Sequence, residues 1–279
     1  MILVTGATGN VGRRVVERLV AAGHGVRAVT RDPGRAKLPA GVEVVTADLA
    51  DPETLRPHLA GVDAVFLIWP FVEPAAAAQL APRVAAVLAA AGSPRVVYVS
   101  AATAEADPDS FWAVVERAVI ASGLPWTMLR PTGIATNTLG WAPAIRAEGV
   151  VRWPYGTAAR SMVHEDDIAA VAVDALTSDR HDRRTYVLSG PQTVTQAEQV
   201  RLIGAAIGRD LRWEEVPAEA VRPMLSAAMG SAAFADAALA GWAAMAETPE
   251  QVTGDVAAVL GRPARTFADW AADHAADFA

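Results

Sequence analysis

Three groups of residues in this sequence have the types and spacing to do chemistry. The first is Thr5-Gly6-Ala7-Thr8-Gly9-Asn10-Val11-Gly12, a G-x-x-G-x-x-G run directly behind Ile2-Leu3-Val4. Gly6 and Gly9 permit a tight turn that lets backbone N–H groups approach a pyrophosphate, and Gly12 lets a helix pack closely on the preceding strand. Gly6, Thr8, Gly9, Asn10, Val11 and Gly12 are therefore expected on the phosphates of a dinucleotide. The second group is Arg31, with Arg35 and Lys37 close behind it. An acid at this place would bind the ribose hydroxyls of NAD, whereas an Arg pairs with the 2′-phosphate of NADP. Asp32 stands beside Arg31, but the converging cations favour NADP(H), with NAD(H) as the alternative. Asp48 and Leu49 are expected beside the adenine. The third group is aromatic and titratable. Ile68-Trp69-Pro70-Phe71 stands where the nicotinamide half should arrive, and Pro131 ends a later strand. Ile68 and Pro131 are expected near the cofactor. Trp69, Phe71, Trp141 and Trp242 are expected as apolar lining for a flat substrate. His164, Tyr155 and Ser100 are the candidates for a proton donor.

The elements that must position these residues alternate regularly. Strands are expected at Ile2–Thr5, Val26–Thr30, Val42–Thr46, Ala64–Ile68, Val96–Ser100 and Trp126–Leu129. Helical patterns fall between them, at Val11–Ala22, near Gly34–Lys37, and at Pro52–Leu59, Pro74–Ala91 and Asp109–Ser122. Such βαβ alternation implies a parallel sheet with helices on both faces. It places the glycine run between a strand and a helix, which gives that motif its weight. After Pro131 the rhythm changes. Thr132–Arg160 is rich in Gly, Pro and Trp. Strands are expected at Ser161–His164 and Arg184–Leu188, and helices at Glu165–Thr177, Thr195–Gly208, Ala218–Ala228, Ala232–Ala246, Pro249–Leu260 and Thr266–Phe278. The division expected is 1–131 as a dinucleotide-binding domain, and 132–279 as a mixed region that completes the sheet and forms a substrate lobe.

Composition narrows the classes. Of 279 residues, 52% are hydrophobic and 20% charged, which supplies a packed core. The formal net charge of -7 argues against a broad nucleic-acid surface. With no Cys, disulfides, thiolate nucleophiles and Cys-ligated metals are ruled out. No His/Asp/Glu spacing suggests a metal site. No leader pattern or bilayer-length apolar run stands out, so a cytoplasmic location without a membrane partner is expected.

The glycine turn, Thr30-Arg31-Asp32-Pro33, Ala47-Asp48-Leu49 and Ser122-Gly123-Leu124-Pro125-Trp126-Thr127-Met128-Leu129-Arg130-Pro131 together resemble the NmrA-like, atypical branch of the short-chain dehydrogenases/reductases. Val163-His164-Glu165-Asp166-Asp167-Ile168-Ala169 and Gly261-Arg262-Pro263 fit the same family, so the resemblance spans nearly the whole chain. It implies an α/β Rossmann fold, a doubly wound parallel sheet with a small, mostly helical C-terminal substrate lobe, and bound NADP(H) or NAD(H). Members include quinone reductases, phenylpropanoid reductases and dinucleotide-sensing regulators. The sequence departs from the superfamily at its acid. Trp112 and Glu116 stand where a Tyr-x-x-x-Lys pair is usual, and Trp has no titratable proton to give. The usual catalytic Ser/Thr maps to Ser100 or Ala101, and Glu116 is left to hold a ribose hydroxyl or the nicotinamide. A quinone needs an acid less than an aliphatic ketone does, because its reduced anion is resonance-stabilised. The reading is an NADP(H)-dependent oxidoreductase acting on a quinone-like or conjugated hydrophobic acceptor. The alternatives are a non-catalytic NADP(H) sensor with a protein partner, and a tailoring enzyme of a biosynthetic pathway.

Overall fold

The computed structural model describes residues 1–92 and 94–279. Its strands are β1 (Ile2–Val4), β2 (Val26–Thr30), β3 (Glu43–Thr46), β4 (Ala64–Ile68), β5 (Arg95–Val99), β6 (Trp126–Pro131), β7 (Val150–Trp153), β8 (Ala159–Arg160), β9 (Arg184–Leu188), β10 (Val194–Thr195) and β11 (Arg212–Glu215). Its α-helices are α1 (Asn10–Ala21), α2 (Pro74–Ala90), α3 (Phe111–Ala121), α4 (Ala142–Glu148), α5 (Glu165–Thr177), α6 (Gln196–Ile207), α7 (Ala218–Met229), α8 (Ala232–Glu247), α9 (Asp255–Leu260), α10 (Phe267–Asp273) and α11 (Ala275–Phe278). The chain forms two compact units. One contains Met1–Pro131, Glu165–Leu188 and Ala258–Gly261, and the other Thr132–His164, Ser189–Ala257 and Arg262–Ala279.

The first unit is a seven-stranded sheet in the order β3-β2-β1-β4-β5-β6-β9, and every pairing in it is parallel. Its strands are apolar because both faces are covered; β4 is buried at Ala64 through Leu67. Crossovers lead outward from β1 in one direction and from β4 in the other, and with the usual right hand this puts α1 on one face and α2 and α3 on the opposite one. Helix α5 packs on α1, and α2 packs on α3. The reversal between β1 and β4 is the topological switch, beyond whose strand ends a dinucleotide lies. This is the doubly wound Rossmann fold expected from the alternation.

The second unit is mostly helical. Strand β7 pairs in parallel with β11, and β8 antiparallel with β10. Its core gathers Trp141, Ile145, Val151, Ile203, Trp270 and Phe278. Helices α7 and α8 form a hairpin around a smaller cluster of Val221, Leu225, Ala235 and Leu239.

Three expectations are corrected here. Ser161–His164 is not a strand. The Ser161 N–H donates to Glu250 Oε2 at 2.9 Å, and Val163 makes only an isolated bridge to Ile134. The helix expected from Pro249 begins only at Asp255. Before it, Glu250 N–H donates to Ala159 O at 3.0 Å and Thr253 N–H to Ser189 Oγ at 2.9 Å, so these donors serve other segments. The last helical stretch breaks at His274 into α10 and α11, and Thr266 starts it with a reciprocal capping box to Asp269.

Candidate active site

The glycine run folds as the turn from β1 into α1. Thr5 fixes its entry: its N–H donates to Phe66 O at 2.9 Å, and its Oγ1 accepts from Ile68 N–H at 2.8 Å. Gly6 has φ +61°, and a Cβ there would stand 3.0 Å from the Ile68 Cβ. Gly9 N–H closes the turn on Gly6 O at 2.9 Å. At Gly12 a Cβ would fall 2.1 Å from Gly6 O, so only glycine lets the helix approach the turn. Helix α1 starts with Gly9 as N-cap, with no side-chain cap and no acidic residue in its first turn. The N–H groups of Asn10, Val11 and Gly12 therefore have no partner within the helix, and the positive end of its dipole is uncovered. Thr8, Gly9 and Asn10 are exposed at this end. The cradle fits a pyrophosphate, because a side chain would fill it and its donors match phosphate oxygens.

At the β2 tip, Arg31, Arg35 and Lys37 are exposed, and their side chains make no ion pair or hydrogen bond among the described residues. Asp32 turns the chain into a short 3-10 turn at Pro33–Arg35, its N–H donating to Thr30 Oγ1 at 3.2 Å. Beyond β3, Asp48 Oδ1 accepts from Ala50 N–H at 2.9 Å, and the Asp48 N–H donates to Thr54 Oγ1 at 2.9 Å. One carboxylate oxygen thus holds its own turn, beside buried Leu49.

At the ends of β4, β5 and β6 stand Ile68, Trp69, Ser100 and Pro131. Trp69 is buried and lies edge-on to Phe71, with ring centroids 5.4 Å apart. Ser100 is buried, with its N–H donating to Leu129 O at 2.7 Å. Pro131 pairs with Leu188 at the end of β6.

Helix α3 holds the departure from the usual acid. Ser110 caps it, Oγ accepting from Ala113 N–H at 3.3 Å. Trp112 lies against Phe111 with ring centroids 4.1 Å apart. Glu116 is buried and both its oxygens are taken by Arg130, Nε to Oε1 at 3.0 Å and Nη2 to Oε2 at 2.8 Å. Arg130 Nη1 also reaches Glu105 at 3.1 Å. The hydrogen bond to Glu116 pushes the Arg130 guanidinium further above its ordinary range. Burial, and then the Glu116 charge, push the neighbouring Tyr98 hydroxyl well above the ordinary tyrosine value, so it stays protonated near neutral pH. Arg130 belongs to the family-like stretch at residues 122–131, and linear sequence does not show that it reaches Glu116.

The other candidates lie in the second unit. Trp141 is buried, 6.3 Å from Trp153 and 5.8 Å from Trp213, and half-buried Trp242 is 5.7 Å from Trp153. Tyr155 is half-buried with φ +61°, an unusual conformation for a bulky residue. Glu215, which the sequence did not single out, holds that turn through the N–H groups of Tyr155 and Gly156. His164 is buried with Nε2 3.3 Å from Asp273 Oδ2, and Asp273 is also reached by Arg265 at 3.1 Å. The structure thus places His164 in a packed polar cluster. Among the described residues, no group of His, Asp and Glu could hold a metal ion, and no helix is long and apolar enough to cross a membrane.

Residues 6–179 match the model of the NAD(P)H-binding family. The chain belongs to that family. It is similar to a (4-alkanoyl-5-oxo-2,5-dihydrofuran-3-yl)methyl phosphate reductase of Streptomyces griseus, at 43% identity over 100% of this chain and 99% of the relative. An NAD(P)H azoreductase of Xenophilus azovorans is 36% identical over 100% of this chain and 99% of its own. Among solved structures, the NADPH-dependent quinone oxidoreductase of Escherichia coli in complex with NADPH matches with a TM-score of 0.82 and 25% identity, over 98% of this chain and 99% of that one. The resemblance to NmrA-like reductases therefore holds, and the enzyme is an NAD(P)H-dependent oxidoreductase.

Proposed function

We propose that the enzyme reduces a conjugated, electron-poor hydrophobic acceptor of the quinone kind, with NADPH preferred over NADH. The observation that carries this reading is the fate of the α3 acid site: Trp112 lies tilted against Phe111, and Glu116 is held by Arg130. With no side chain on α3 to hand a proton to an alkoxide, the acceptor must tolerate the charge it receives. Quinones do so by resonance, and solvent completes the protonation. The acceptors named for the relatives, an azo compound, a quinone and an unsaturated lactone phosphate, are all conjugated.

Bound NADPH would supply the hydride. The protein's part is to hold and orient it. The turn at Gly6, Gly9 and Gly12 and the start of α1 would take the pyrophosphate. Arg31, aided by Arg35 and Lys37, would take the 2′-phosphate, and Asp48 and Leu49 would border the adenine. Ile68, Ser100 and Pro131 would flank the nicotinamide half, with Glu116 behind them as the partner of Arg130. Trp69 and Phe71 are proposed as apolar surface for the acceptor.

A second reading is favoured by the 43% relative, which matches the whole chain. The acceptor would be an unsaturated lactone that carries a phosphate, making the protein a tailoring enzyme of a biosynthetic pathway. One panel tests both: NADPH oxidation in the presence of quinones, an azo dye, an unsaturated lactone phosphate and simple aliphatic ketones. Turnover of the conjugated compounds and not of the ketones is expected. Efficient ketone reduction would overturn the reading and send attention to Tyr155 and His164 as acids.

A further inference from the structure

Of the 24 Lys and Arg side chains in the sequence, 23 are Arg, and Lys37 is the sole lysine. Both residue types attract phosphate through the same charge, but they differ in reactivity. A guanidinium keeps its proton at any physiological pH. An ε-amine that has given up its proton is a nucleophile and a target of acylation. The one side-chain amine of this chain stands at the β2 tip, among the cations proposed to take the 2′-phosphate.

The local fold presents it outward. Asp32 turns the chain into the 3-10 turn at Pro33–Arg35, and Ala36 leaves that turn with extended backbone, φ −75° and ψ 100°. Successive side chains on extended backbone point to opposite sides. Ala36 and Leu38 are half-buried and Lys37 is exposed, so the amine faces solvent. Lys37 is two residues from Arg35, which keeps their Cα atoms within about 7 Å. Arg31, Arg35 and Lys37 are all exposed, with no ion pair or hydrogen bond from their side chains among the described residues. Residues 31–37 carry three cations and one acid, Asp32, in a chain whose formal net charge is -7. A local excess of positive charge of this kind concentrates small anions.

We propose that Lys37 is a site of acylation by acyl phosphates, and that its acylation lowers the affinity for NADPH while sparing NADH. The phosphate of the acyl donor docks on Arg31 and Arg35. The Lys37 Nζ lone pair attacks the acyl carbon, and an N–C amide bond forms as the C–O bond to phosphate breaks. Inorganic phosphate leaves with that electron pair, and the proton lost from Nζ passes to water. The side chain is then neutral and no longer attracts the 2′-phosphate. NADH carries no such phosphate and loses little. Bound NADPH covers the same cations, so cofactor and acyl donor exclude one another. The proposal rests on the reading that places the 2′-phosphate at the β2 tip.

In the test, the protein is incubated with acetyl phosphate alone, with NADPH and with NADH. Peptide mass spectrometry follows acetylation of Lys37, and titration calorimetry then gives the dissociation constants of both cofactors. NADPH is expected to slow the acetylation several-fold, and NADH less. The acetylated protein should bind NADPH about tenfold or more weakly, as for loss of one charge-assisted contact, and NADH with little change. The double variant Arg31→Ala/Arg35→Ala should acetylate at Lys37 several-fold more slowly, because the acyl donor loses its dock. Lys37→Arg keeps the cation and has no amine, so acetyl phosphate should leave the NADPH dissociation constant of that variant where it was. An acetylation rate that neither NADPH nor the double variant changes overturns the proposal. So does an NADPH affinity that survives full acetylation of Lys37, or an affinity loss that Lys37→Arg suffers equally. Equal affinities of the untreated protein for NADPH and NADH overturn the cofactor reading itself, and the proposal with it.

Discussion

Arg130 forks onto both oxygens of Glu116 and reaches Glu105 as well, so one guanidinium ties β6 to α3 and to the loop ahead of it. Removing one partner of a buried pair is costly because the other charge stays behind. Arg130→Ala should therefore destabilise the protein by about 3–5 kcal/mol, as urea melts would measure, and Glu116→Gln by less. The exposed cations at the β2 tip pose the opposite case, since they have no partner to strand. Arg31→Ala should weaken NADPH binding by about 1–3 kcal/mol and NADH binding little. Titration calorimetry with both cofactors checks this, and equal wild-type affinities would refute the preference. At this scale the glycine run was fully legible, because each glycine meets a steric demand that its spacing announces. The pairing of Glu116 was not. Fourteen residues and a change of element separate it from Arg130, and sequence carries no distances.

Elements were legible where a period repeats. Strands β1 to β6 and the long helices between them emerge from apolar runs of the right length. The segment 132–160 defeats that method, since β7 and β8 are short and find their partners, β11 and β10, far along the chain. The turn before β9 carries its own pH dependence. His181 is buried; Arg180 Nε donates to its Nε2 at 2.8 Å, and its Nδ1 lies 2.9 Å from the Tyr186 hydroxyl. Burial, its largest influence, holds its basicity below the ordinary histidine value. The native state thus prefers neutral His181, whereas the unfolded chain takes up a proton at the ordinary pKa. The stabilisation is full above that pKa and is lost as pH falls through the depressed one. Stability should rise with pH in the window below about 6.5, and His181→Asn should flatten the rise in urea melts across it. The α7–α8 hairpin offers a different test. Trp242→Ala should cost about 1–3 kcal/mol through lost packing on Trp153, as urea melts would measure.

For the molecule as a whole, cofactor binding and stability are linked. A ligand that binds only the folded state at about a hundred times its dissociation constant adds about 2.7 kcal/mol. NADPH should raise the melting temperature more than NADH does at equal concentration, and Arg31→Ala should erase the difference. Scanning calorimetry with each cofactor reads this directly. The composition of the chain predicted a packed core, and the alternation of strands and helices an α/β fold. They did not reveal how the chain is shared between its two units, because that depends on which late segments return to the first sheet.

That sharing sets the order in which the protein can be made. The chain crosses between the units at residues 131–132, 164–165, 188–189, 257–258 and 261–262. When the first 131 residues have left the ribosome, the sheet still lacks its edge strand β9, and α1 still lacks α5. The nascent chain must therefore carry unmatched strand edge and helix surface until residue 188 has emerged. Neither unit is a contiguous cassette. A fragment cut at residue 131 would present this incomplete surface to chaperones and proteases, and a fusion or library that exchanges the C-terminal half must carry residues 165–188 with the sheet they complete.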